Sequence, residues 1–241
     1  MRKQTTPHIT VIVLTWNGKE HLKTCLDSVL NQTLKNIEVI LVDNASTDRT
    51  AQIAKDGGAV VISEPKKGIP FALKAGYDYV FSQGYEWVLQ TDADSQVSPL
   101  WVESFVTRAE KNDVVGVTGP VYFNDIPSVL KFLTLSGYKA FVLLQAYIVG
   151  YYQFTGSNMA MNMSAYQSIG GIDTSYLISA DVDLSRRLAK IGKIAYVSAM
   201  SVGVSSRRIR KQPLRALKMY AKGLYSAIRG KSSTIELDDV R

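Results

Sequence analysis

Carboxylates follow apolar runs at two points in the first half of this 241-residue chain, where a strand would end. Asp43 closes one run, and the motif Asp92-Ala93-Asp94 closes a later one. Two carboxylates this close supply hard oxygen ligands around one point, which suits Mg²⁺ or Mn²⁺ when the ion must also hold a diphosphate. Acidic pairs at turns also serve as solvated or helix-capping residues, so the motif alone leaves both interpretations open.

The elements that would position these carboxylates alternate along the chain. Continuous β-branched runs predict buried strands, and apolar residues at helical spacing predict helices between them. Strands are predicted at 9–15, 37–42, 59–62, 87–91, 114–118 and 194–197, and helices at 22–30, 47–55, 71–83, 100–111, 165–169 and 181–191. This alternation predicts an open α/β sheet with right-handed crossovers, in which ligands bind outside the carboxyl ends of the strands.

Sulfur and imidazole groups offer little chemistry. The single cysteine, Cys25, falls on the apolar face of the first predicted helix and is interpreted as a buried hydrophobic residue. One cysteine excludes an internal disulfide and a cysteine-rich zinc site. The only histidines are His8 and His21, which excludes a histidine-rich metal site, and His21 is expected to be exposed.

A series of motifs in sequence order resembles the family-two glycosyltransferases of the GT-A fold. The donor half contributes the segments 11–17 and 42–48, Lys67-Gly68 and Asp92-Ala93-Asp94. The acceptor half contributes Gly156-Ser157-Asn158, Gly170-Gly171-Ile172-Asp173 and Ala180-Asp181-Val182-Asp183-Leu184. The resemblance covers about residues 9–200. It implies an α/β GT-A fold, with a Rossmann-like, mostly parallel central sheet flanked by helices.

The resemblance assigns a donor site. Thr15 and Asn17 would line the pocket for the base and ribose, and the Asp43 carboxylate would accept a hydrogen bond from a ring N–H of the base. Lys67 and Gly68 would begin the segment that approaches the nucleotide, because glycine permits a close backbone approach. The donor would be a UDP-, dTDP- or GDP-linked sugar, and the motif order looks somewhat like that of members using dTDP-rhamnose.

The resemblance also assigns the reacting groups. Asp94 would be the direct ligand of Mg²⁺ or Mn²⁺, with Asp92 nearer the ribose, and the metal would neutralise the diphosphate leaving group. Asp181 would be the general base that takes the proton of the acceptor hydroxyl, with inversion at the anomeric carbon. Four further residues would contact the acceptor: Gly156, Ser157, Asn158 and Ala180.

The chain departs from the family pattern at two points. Ala180 stands where glutamate is usual, next to the expected base. No histidine occurs in 198–210, after the predicted strand at 194–197, where related enzymes often have a further metal ligand. Either the metal is held by Asp94, the diphosphate and water, or Arg207 and Arg208 supply part of the compensating charge. Asp183 is interpreted as an acid that stabilises the start of a helix.

The excess positive charge of the chain is confined to one segment near its C-terminus. The net charge is +7, but residues 207–231 hold nine basic residues and no acid, so the remainder carries a net charge of −2. Apolar residues recur there at helical spacing: Leu214, Leu217, Ala221, Leu224 and Ile228. The pattern predicts a basic amphipathic helix that binds an anionic membrane surface, or else a helix packed on the catalytic domain. Nucleic-acid binding is not expected.

The stretch 129–154 is the longest apolar segment. Its uncharged part, 140–154, has 15 residues, fewer than the roughly 20 that a membrane-spanning helix needs. Lys131 and Lys139 interrupt any extension, so the stretch predicts a core helix or an interfacial helix and disfavours a spanning one. No apolar leader precedes the first strand, so the expected location is the cytoplasm, peripheral on the cytoplasmic face of the membrane.

These observations predict a GT-A glycosyltransferase domain at 1–203, with a donor half at 9–94 and an acceptor half at 95–203, followed by a basic tail at 204–241. The predicted function is inverting transfer of a sugar to a lipid-linked or membrane-proximal glycan. The alternative is an inactive relative that binds sugar nucleotide or membrane. A dehydrogenase is disfavoured because Thr15-Trp16-Asn17-Gly18 stands where a Gly-x-Gly-x-x-Gly motif would follow the first strand.

Overall fold

Seven strands form one central sheet in the computed structural model, which describes residues 9–215 except 36, 112 and 178, together with 218, 221 and 225. The strands of this sheet are β1 (Ile9–Thr15), β2 (Glu38–Asp43), β3 (Val60–Ser63), β4 (Trp87–Asp92), β6 (Val114–Thr118), β8 (Met159–Asn162) and β9 (Lys193–Tyr196). Their order is β3-β2-β1-β4-β8-β6-β9. A second sheet has the order β5-β10-β7, from β5 (Gln96–Val97), β7 (Val121–Phe123) and β10 (Val202–Val204).

Eight helices accompany the two sheets in the described residues. They are α1 (Leu22–Leu30), α2 (Thr50–Asp56), α3 (Ile69–Ser82), α4 (Trp101–Ala109), α5 (Ser128–Val149), α6 (Met163–Ser168), α7 (Ala180–Leu188) and α8 (Arg207–Lys211). The six strands and six helices of the predicted alternation are all found, each with both ends within three residues of the prediction. The predicted α/β fold with a mostly parallel central sheet is therefore confirmed.

The sheet is buried on both faces. Successive strand residues point to opposite sides, and each side packs against its own core cluster. In β1, Val11 and Val13 belong to a core cluster with α1 and α4, whereas Ile12 belongs to a second cluster with α3 and α7. Cys25 lies in the first cluster with no exposed surface, as predicted. Burial raises the pKa of its thiol, a shift opposite to that of an activated thiolate.

Strand β8 is the one reversal in the central sheet. It runs antiparallel to both of its neighbours, β4 and β6, whereas the pairs β1–β2, β2–β3, β1–β4 and β6–β9 are parallel. Its sequence, Met-Ala-Met-Asn, has no β-branched residue, so strand propensity gave no signal for it. The reversal brings the loop before β8 to the carboxyl end of β4, where Asp92 lies.

Helix α5 is longer and more exposed than the sequence suggested. It has 22 residues and includes both Lys131 and Lys139, and Val142 is its only buried residue. The interpretation of the stretch 129–154 as a core helix is therefore wrong for α5, although Phe154 at the end of the stretch is buried in the core. By length and composition alone, α5 could cross a membrane.

The predicted amphipathic helix at 207–231 lies largely outside the described residues. Its first part is α8, which follows β10 directly. Leu214 is exposed, and Leu217, Leu224 and Ile228 are not described.

Candidate active site

The ends of β1 and β2 form the region where the donor is expected to bind. Thr15 and Asp43 are register partners on these adjacent strands, and both are buried. The Asp43 carboxylate accepts a hydrogen bond from the backbone N–H of Ser46 at 3.2 Å. The Thr15 hydroxyl is buried and has no hydrogen-bond partner among the described residues.

Asn17 holds two loops together. Its backbone adopts a left-handed conformation, with φ of 48°. Its N–H donates to the Ser46 hydroxyl at 2.7 Å, and its side-chain oxygen accepts from the N–H of Thr47 at 2.6 Å. Asn17 therefore fixes the loop after β2 against the end of β1, next to the expected base pocket.

Asn44 organises the segment that contains Lys67 and Gly68. Its amide donates to the carbonyl oxygen of Lys66 at 2.7 Å, and its oxygen accepts from the N–H of Gly68 at 2.7 Å. Gly68 has a φ of 133°, a conformation that favours glycine, and α3 begins immediately after it. The Lys67 ammonium lies 5.0 Å from the ring centroid of Trp16, at the end of β1. The sequence analysis did not identify Asn44 as a site residue.

Asp92 and Asp94 lie at the carboxyl end of β4, both partly exposed. The carboxylate of Asp94 accepts a hydrogen bond from the Arg207 guanidinium at 3.2 Å. A second guanidinium nitrogen of Arg207 lies 2.6 Å from Nε2 of His21. Arg207 reaches this position because β10 pairs with β5, the strand that follows Asp94.

These contacts bear on the missing histidine and on the expected exposure of His21. Arg207 lies beside Asp94. This position is the one required by the alternative in which arginine supplies part of the charge in place of a histidine-bound metal. His21 is half-buried against Arg207, so its expected full exposure is wrong. Neither contact was visible in the sequence, because 113 residues separate Asp94 from Arg207 and 186 separate His21 from Arg207.

The carboxylates of Asp92 and Asp94 suit a divalent cation only if the substrate supplies further ligands. Among the described residues, no group of three or more His, Cys, Asp or Glu side chains could hold a metal ion. Mg²⁺ is commonly bound by one or two carboxylates together with substrate phosphates and water. Asp94 and Asp92 match that pattern, in which the protein supplies a minority of the ligands.

Asp181 lies at the start of α7 with its carboxylate enclosed by backbone donors. One oxygen accepts from the N–H of Gly156 at 2.9 Å, and the other accepts from the N–H of Val182 at 2.9 Å. Burial raises the pKa of this carboxyl, and the two backbone donors oppose the rise. A carboxylate with a raised pKa binds a proton more readily, as a general base requires.

Hydrogen bonds from β4 fix the loop that contains Gly156 beside the end of that strand. The Gln90 amide donates to the carbonyl oxygen of Gly156 at 2.5 Å, and the Thr91 hydroxyl donates to that of Ser157 at 2.9 Å. The Tyr77 hydroxyl donates to the other end of the Gln90 side chain. Through these bonds, the strand that ends at Asp92 also positions the backbone N–H that binds Asp181. Gln90 and Tyr77 are further organising residues that the sequence analysis missed.

Three of the four expected acceptor residues, Ser157, Asn158 and Ala180, are buried. Asn158 is fully buried: its amide donates to the carbonyl oxygens of Pro120 and Met200, and its oxygen accepts from the indole of Trp101. Ala180 is 5% exposed and belongs to the core cluster on the α3 side of the sheet. The side chains of Asn158 and Ala180 therefore pack inside the protein. Gly156 is partly exposed, and Ser157 is buried in the loop.

Asp183 forms a buried ion pair two residues from the expected base. It is 2% exposed and contacts the guanidinium groups of Arg186 and Arg187 at 2.6 and 2.7 Å. Arg187 also donates to the carbonyl oxygens of Ile169 and Gly171 at 2.9 and 2.6 Å. Asp183 lies in the first turn of α7, as interpreted, and its ion pair with Arg187 adds a connection to the Gly170-Gly171 turn that the sequence did not predict.

Replacing Asp183 with Asn is expected to lower the free energy of unfolding by about 3 kcal/mol, because two guanidinium groups lose their buried counter-charge. For a chain of this size the melting temperature should fall by roughly 6–12 °C, measured by thermal denaturation. The control is Asp113→Asn, which removes an exposed pair with Arg108 at 3.1 Å and should change the melting temperature little. Equal melting temperatures for the two variants would contradict a stabilising role for Asp183.

Comparison with known proteins gives a family match over most of the chain. The model of glycosyl transferase family 2 matches residues 10–170. An uncharacterized glycosyltransferase of Haemophilus influenzae is 33% identical over 119 residues, which are 47% of this chain and 36% of that protein. The chain thus spans about a third of this relative, and a similar share of a putative glycosyltransferase of Bacillus subtilis, EpsH.

Solved structures share the fold. The mannosyltransferase PcManGT from Pyrobaculum calidifontis, in complex with GDP-Man and Mn²⁺, has a TM-score of 0.75 at 20% identity, over 95% of this chain and 67% of that one. S. aureus TarS in complex with UDP-GlcNAc has a TM-score of 0.65 at 16% identity, over 83% of this chain and 58% of that one. At these identities the likeness establishes a shared GT-A architecture.

Proposed function

Because the chain belongs to glycosyl transferase family 2, we propose that it transfers a sugar from a nucleotide-diphosphate donor to a hydroxyl of a lipid-linked or membrane-proximal glycan, with inversion at the anomeric carbon. The observation that carries the proposal is the convergence of two carboxylate sites at the end of β4. Gln90 and Thr91 hold the loop that binds Asp181, and the same strand continues into Asp92.

Asp181 is proposed as the general base. Its carboxylate accepts the proton of the acceptor hydroxyl while that oxygen attacks the anomeric carbon, from the side opposite the diphosphate. The bond between the anomeric carbon and the diphosphate oxygen breaks in the same displacement. The N–H groups of Gly156 and Val182 keep the carboxylate oriented for this task, and its raised pKa increases its affinity for the proton.

Asp94, with Asp92, is proposed to hold Mg²⁺ or Mn²⁺ together with the diphosphate. When bound, the cation supplies positive charge that stabilises the departing nucleotide diphosphate. Arg207 adds a second positive charge at the same carboxylate, 3.2 Å from Asp94. Lys67, beside Trp16, offers a further cation at the edge of the donor pocket.

The donor pocket is proposed to bind the nucleotide between the ends of β1 and β2. The buried Asp43 carboxylate and the unpartnered Thr15 hydroxyl supply polar contacts there. PcManGT is in complex with GDP-Man and TarS with UDP-GlcNAc, so the shared fold supports both guanosine and uridine donors. A dTDP-linked donor is also proposed, because the order of the sequence motifs resembles that of members that use dTDP-rhamnose.

A donor panel tests the proposed reaction. UDP-, dTDP- and GDP-sugars are each incubated with the protein and Mn²⁺ or Mg²⁺, and binding and nucleotide release are measured in parallel samples with excess chelator. We expect one nucleotide class to raise the melting temperature and to be hydrolysed slowly, with release lost in chelator. With a matched acceptor, NMR of the product should show the anomer opposite to that of the donor. Retention of the donor anomer would overturn the base role of Asp181.

The basic segment 207–231 is proposed to hold the enzyme at the cytoplasmic face of an anionic membrane, near a lipid-linked acceptor. Each Lys or Arg close to an anionic leaflet contributes on the order of 1 kcal/mol of attraction. Residue 207 itself contacts Asp94, so this segment begins at the active site.

A further inference from the structure

Helix α5 presents its apolar side to solvent. Of the seventeen large hydrophobic residues that are exposed in the described part of the chain, nine lie on this helix. They are Val129, Leu130, Phe132, Leu133, Phe141, Leu143, Leu144, Tyr147 and Ile148, with exposures from 48% to 87%. A surface helix of a globular protein normally turns such residues toward the core. This concentration on one helix therefore marks an interaction surface.

Two polar side chains of α5, those of Tyr138 and Gln145, face the protein instead. The Tyr138 hydroxyl is hydrogen-bonded to the hydroxyl of Thr155, and the Gln145 amide donates to the side chain of Gln153. Lys131, Thr134 and Lys139 are half-buried. The side of the helix that contains Tyr138 and Gln145 thus packs on the protein. The apolar side faces solvent and has no partner among the described residues.

These contacts also fix the orientation of the helix. The segment 150–155 runs back along α5, because Gln153 contacts Gln145 and Thr155 contacts Tyr138. A helix crossing a bilayer would carry Gln153 and Thr155 into the hydrocarbon. The loop that binds Asp181 begins at the residue after Thr155, so it would be displaced as well. The attachment favours a helix that lies flat in the membrane surface.

The charge around α5 favours an anionic surface. No acidic residue occurs from 126 to 172, and the helix carries two lysines. Asp125, just before the helix, accepts hydrogen bonds from the Ser206 N–H at 2.9 Å and from Arg210 at 3.0 Å. This contact joins the start of α5 to the start of the basic segment. A second copy of the chain, packed through the same face, would bring like charges together.

We propose that the outward face of α5 is inserted in the surface of an anionic phospholipid bilayer, with the helix lying in the membrane plane. This surface is distinct from the tail at 207–231 and does not depend on the proposed reaction. Insertion buries the nine apolar side chains. The two lysines of the helix, with no acidic residue from 126 to 172, give this side of the protein a positive charge that attracts lipid phosphates. The Tyr138–Thr155 contact then keeps the acceptor side of the active site at the membrane surface.

Vesicle flotation with matched variants tests the proposal. The chain is mixed at low salt with phosphatidylcholine vesicles, with and without phosphatidylglycerol. The test variant carries Leu133→Gln, Leu144→Gln and Ile148→Gln, three exposed positions of α5. The control variant carries Leu30→Gln, Leu100→Gln and Ile191→Gln, three exposed positions outside α5. The expected result is a fall in vesicle partitioning of about tenfold or more for the test variant and a negligible change for the control.

Two further measurements keep the outcome decisive. Far-UV circular dichroism and the melting temperature are measured for both variants without vesicles, and equal values show that the test variant is folded, whatever the outcome for the proposed reaction. Leu144→Cys and Ile191→Cys are labelled with an environment-sensitive fluorophore, because the native Cys25 is fully buried. Only the label at 144 should report an apolar environment when vesicles are added.

Three outcomes would overturn the proposal. Unchanged partitioning of the test variant would assign membrane binding to the tail. A label at 144 that does not respond to vesicles would exclude insertion. A wild-type chain that ignores vesicles but dimerises, with the test variant monomeric, would identify a second copy as the partner of α5.

Discussion

Replacing Asp181 with Asn is expected to reduce sugar transfer by about 10²–10⁴-fold, the usual contribution of a general base. Asn keeps the shape of the side chain and can still accept one of the backbone hydrogen bonds from Gly156 and Val182. Donor binding should therefore remain within about threefold of the wild-type value, measured by calorimetry or thermal shift. Transfer is measured as product formed per enzyme at saturating donor.

The control for this variant is Asp113→Asn, which removes an exposed carboxylate at the amino end of β6, on the opposite edge of the sheet from the site, and should transfer sugar at the wild-type rate. Unchanged transfer by Asp181→Asn would exclude this residue as the base. If the wild-type chain binds donor but transfers nothing to any acceptor, the chain acts as a sugar-nucleotide-binding relative instead.

The pH dependence of transfer follows from the same residue. Burial raises the pKa of Asp181 above its ordinary value of 3.8, and the base acts only in its ionised form. The rate should fall as the pH drops through the raised pKa, so the acid limb of kcat/KM should lie at higher pH than the titration of an exposed aspartate. An acid limb at the ordinary value, or one that is unchanged in the residual activity of Asp181→Asn, would contradict this assignment.

Replacing Asp94 with Asn should lower kcat/KM by about 100-fold or more. A bound metal contributes several kcal/mol to stabilisation of the leaving group, and each 1.36 kcal/mol corresponds to a factor of ten. The concentration of Mn²⁺ that gives half-maximal activity should also rise. Asp56→Asn, at the exposed end of α2, is the control and should retain both values.

Arg207→Gln separates the two cations at this carboxylate. If a metal supplies most of the charge, this variant should lose less activity than Asp94→Asn and should keep its dependence on Mn²⁺. If Arg207 supplies the charge instead, the wild-type chain should be fully active in excess chelator and Arg207→Gln should be the more damaged variant. That result would remove the metal from the proposed reaction.

Sequence patterns predicted the central sheet well because its strands are distinctive. The strands predicted at 9–15 and 114–118 have the same limits as β1 and β6. They were predictable because continuous β-branched residues specify a strand buried on both faces. Strand β8 has no such signal, and its reversed direction depends on pairing with β4 and β6. For helix α5, composition identified an apolar helix but not which side faces the protein.

The active site was predictable at the level of motifs and not at the level of contacts. Asp43, Asp92, Asp94 and Asp181 stand where strands end or a helix begins, and such positions can be read from local patterns. The contact between Arg207 and Asp94 depends on the pairing of β10 with β5, which no local pattern encodes. The buried position of Asn158 likewise follows from partners on three distant segments, at Trp101, Pro120 and Met200.

The position of β8 decides which pieces of this chain can fold by themselves. This strand lies between β4 and β6 in the sheet, although it is made from residues far beyond the donor half in sequence. A fragment that stopped after β4 would leave one edge of that strand with unpaired N–H and C=O groups, a template for aggregation. The donor and acceptor halves should therefore fold and unfold in a single cooperative transition, and truncation between them should yield an insoluble polypeptide rather than a nucleotide-binding module.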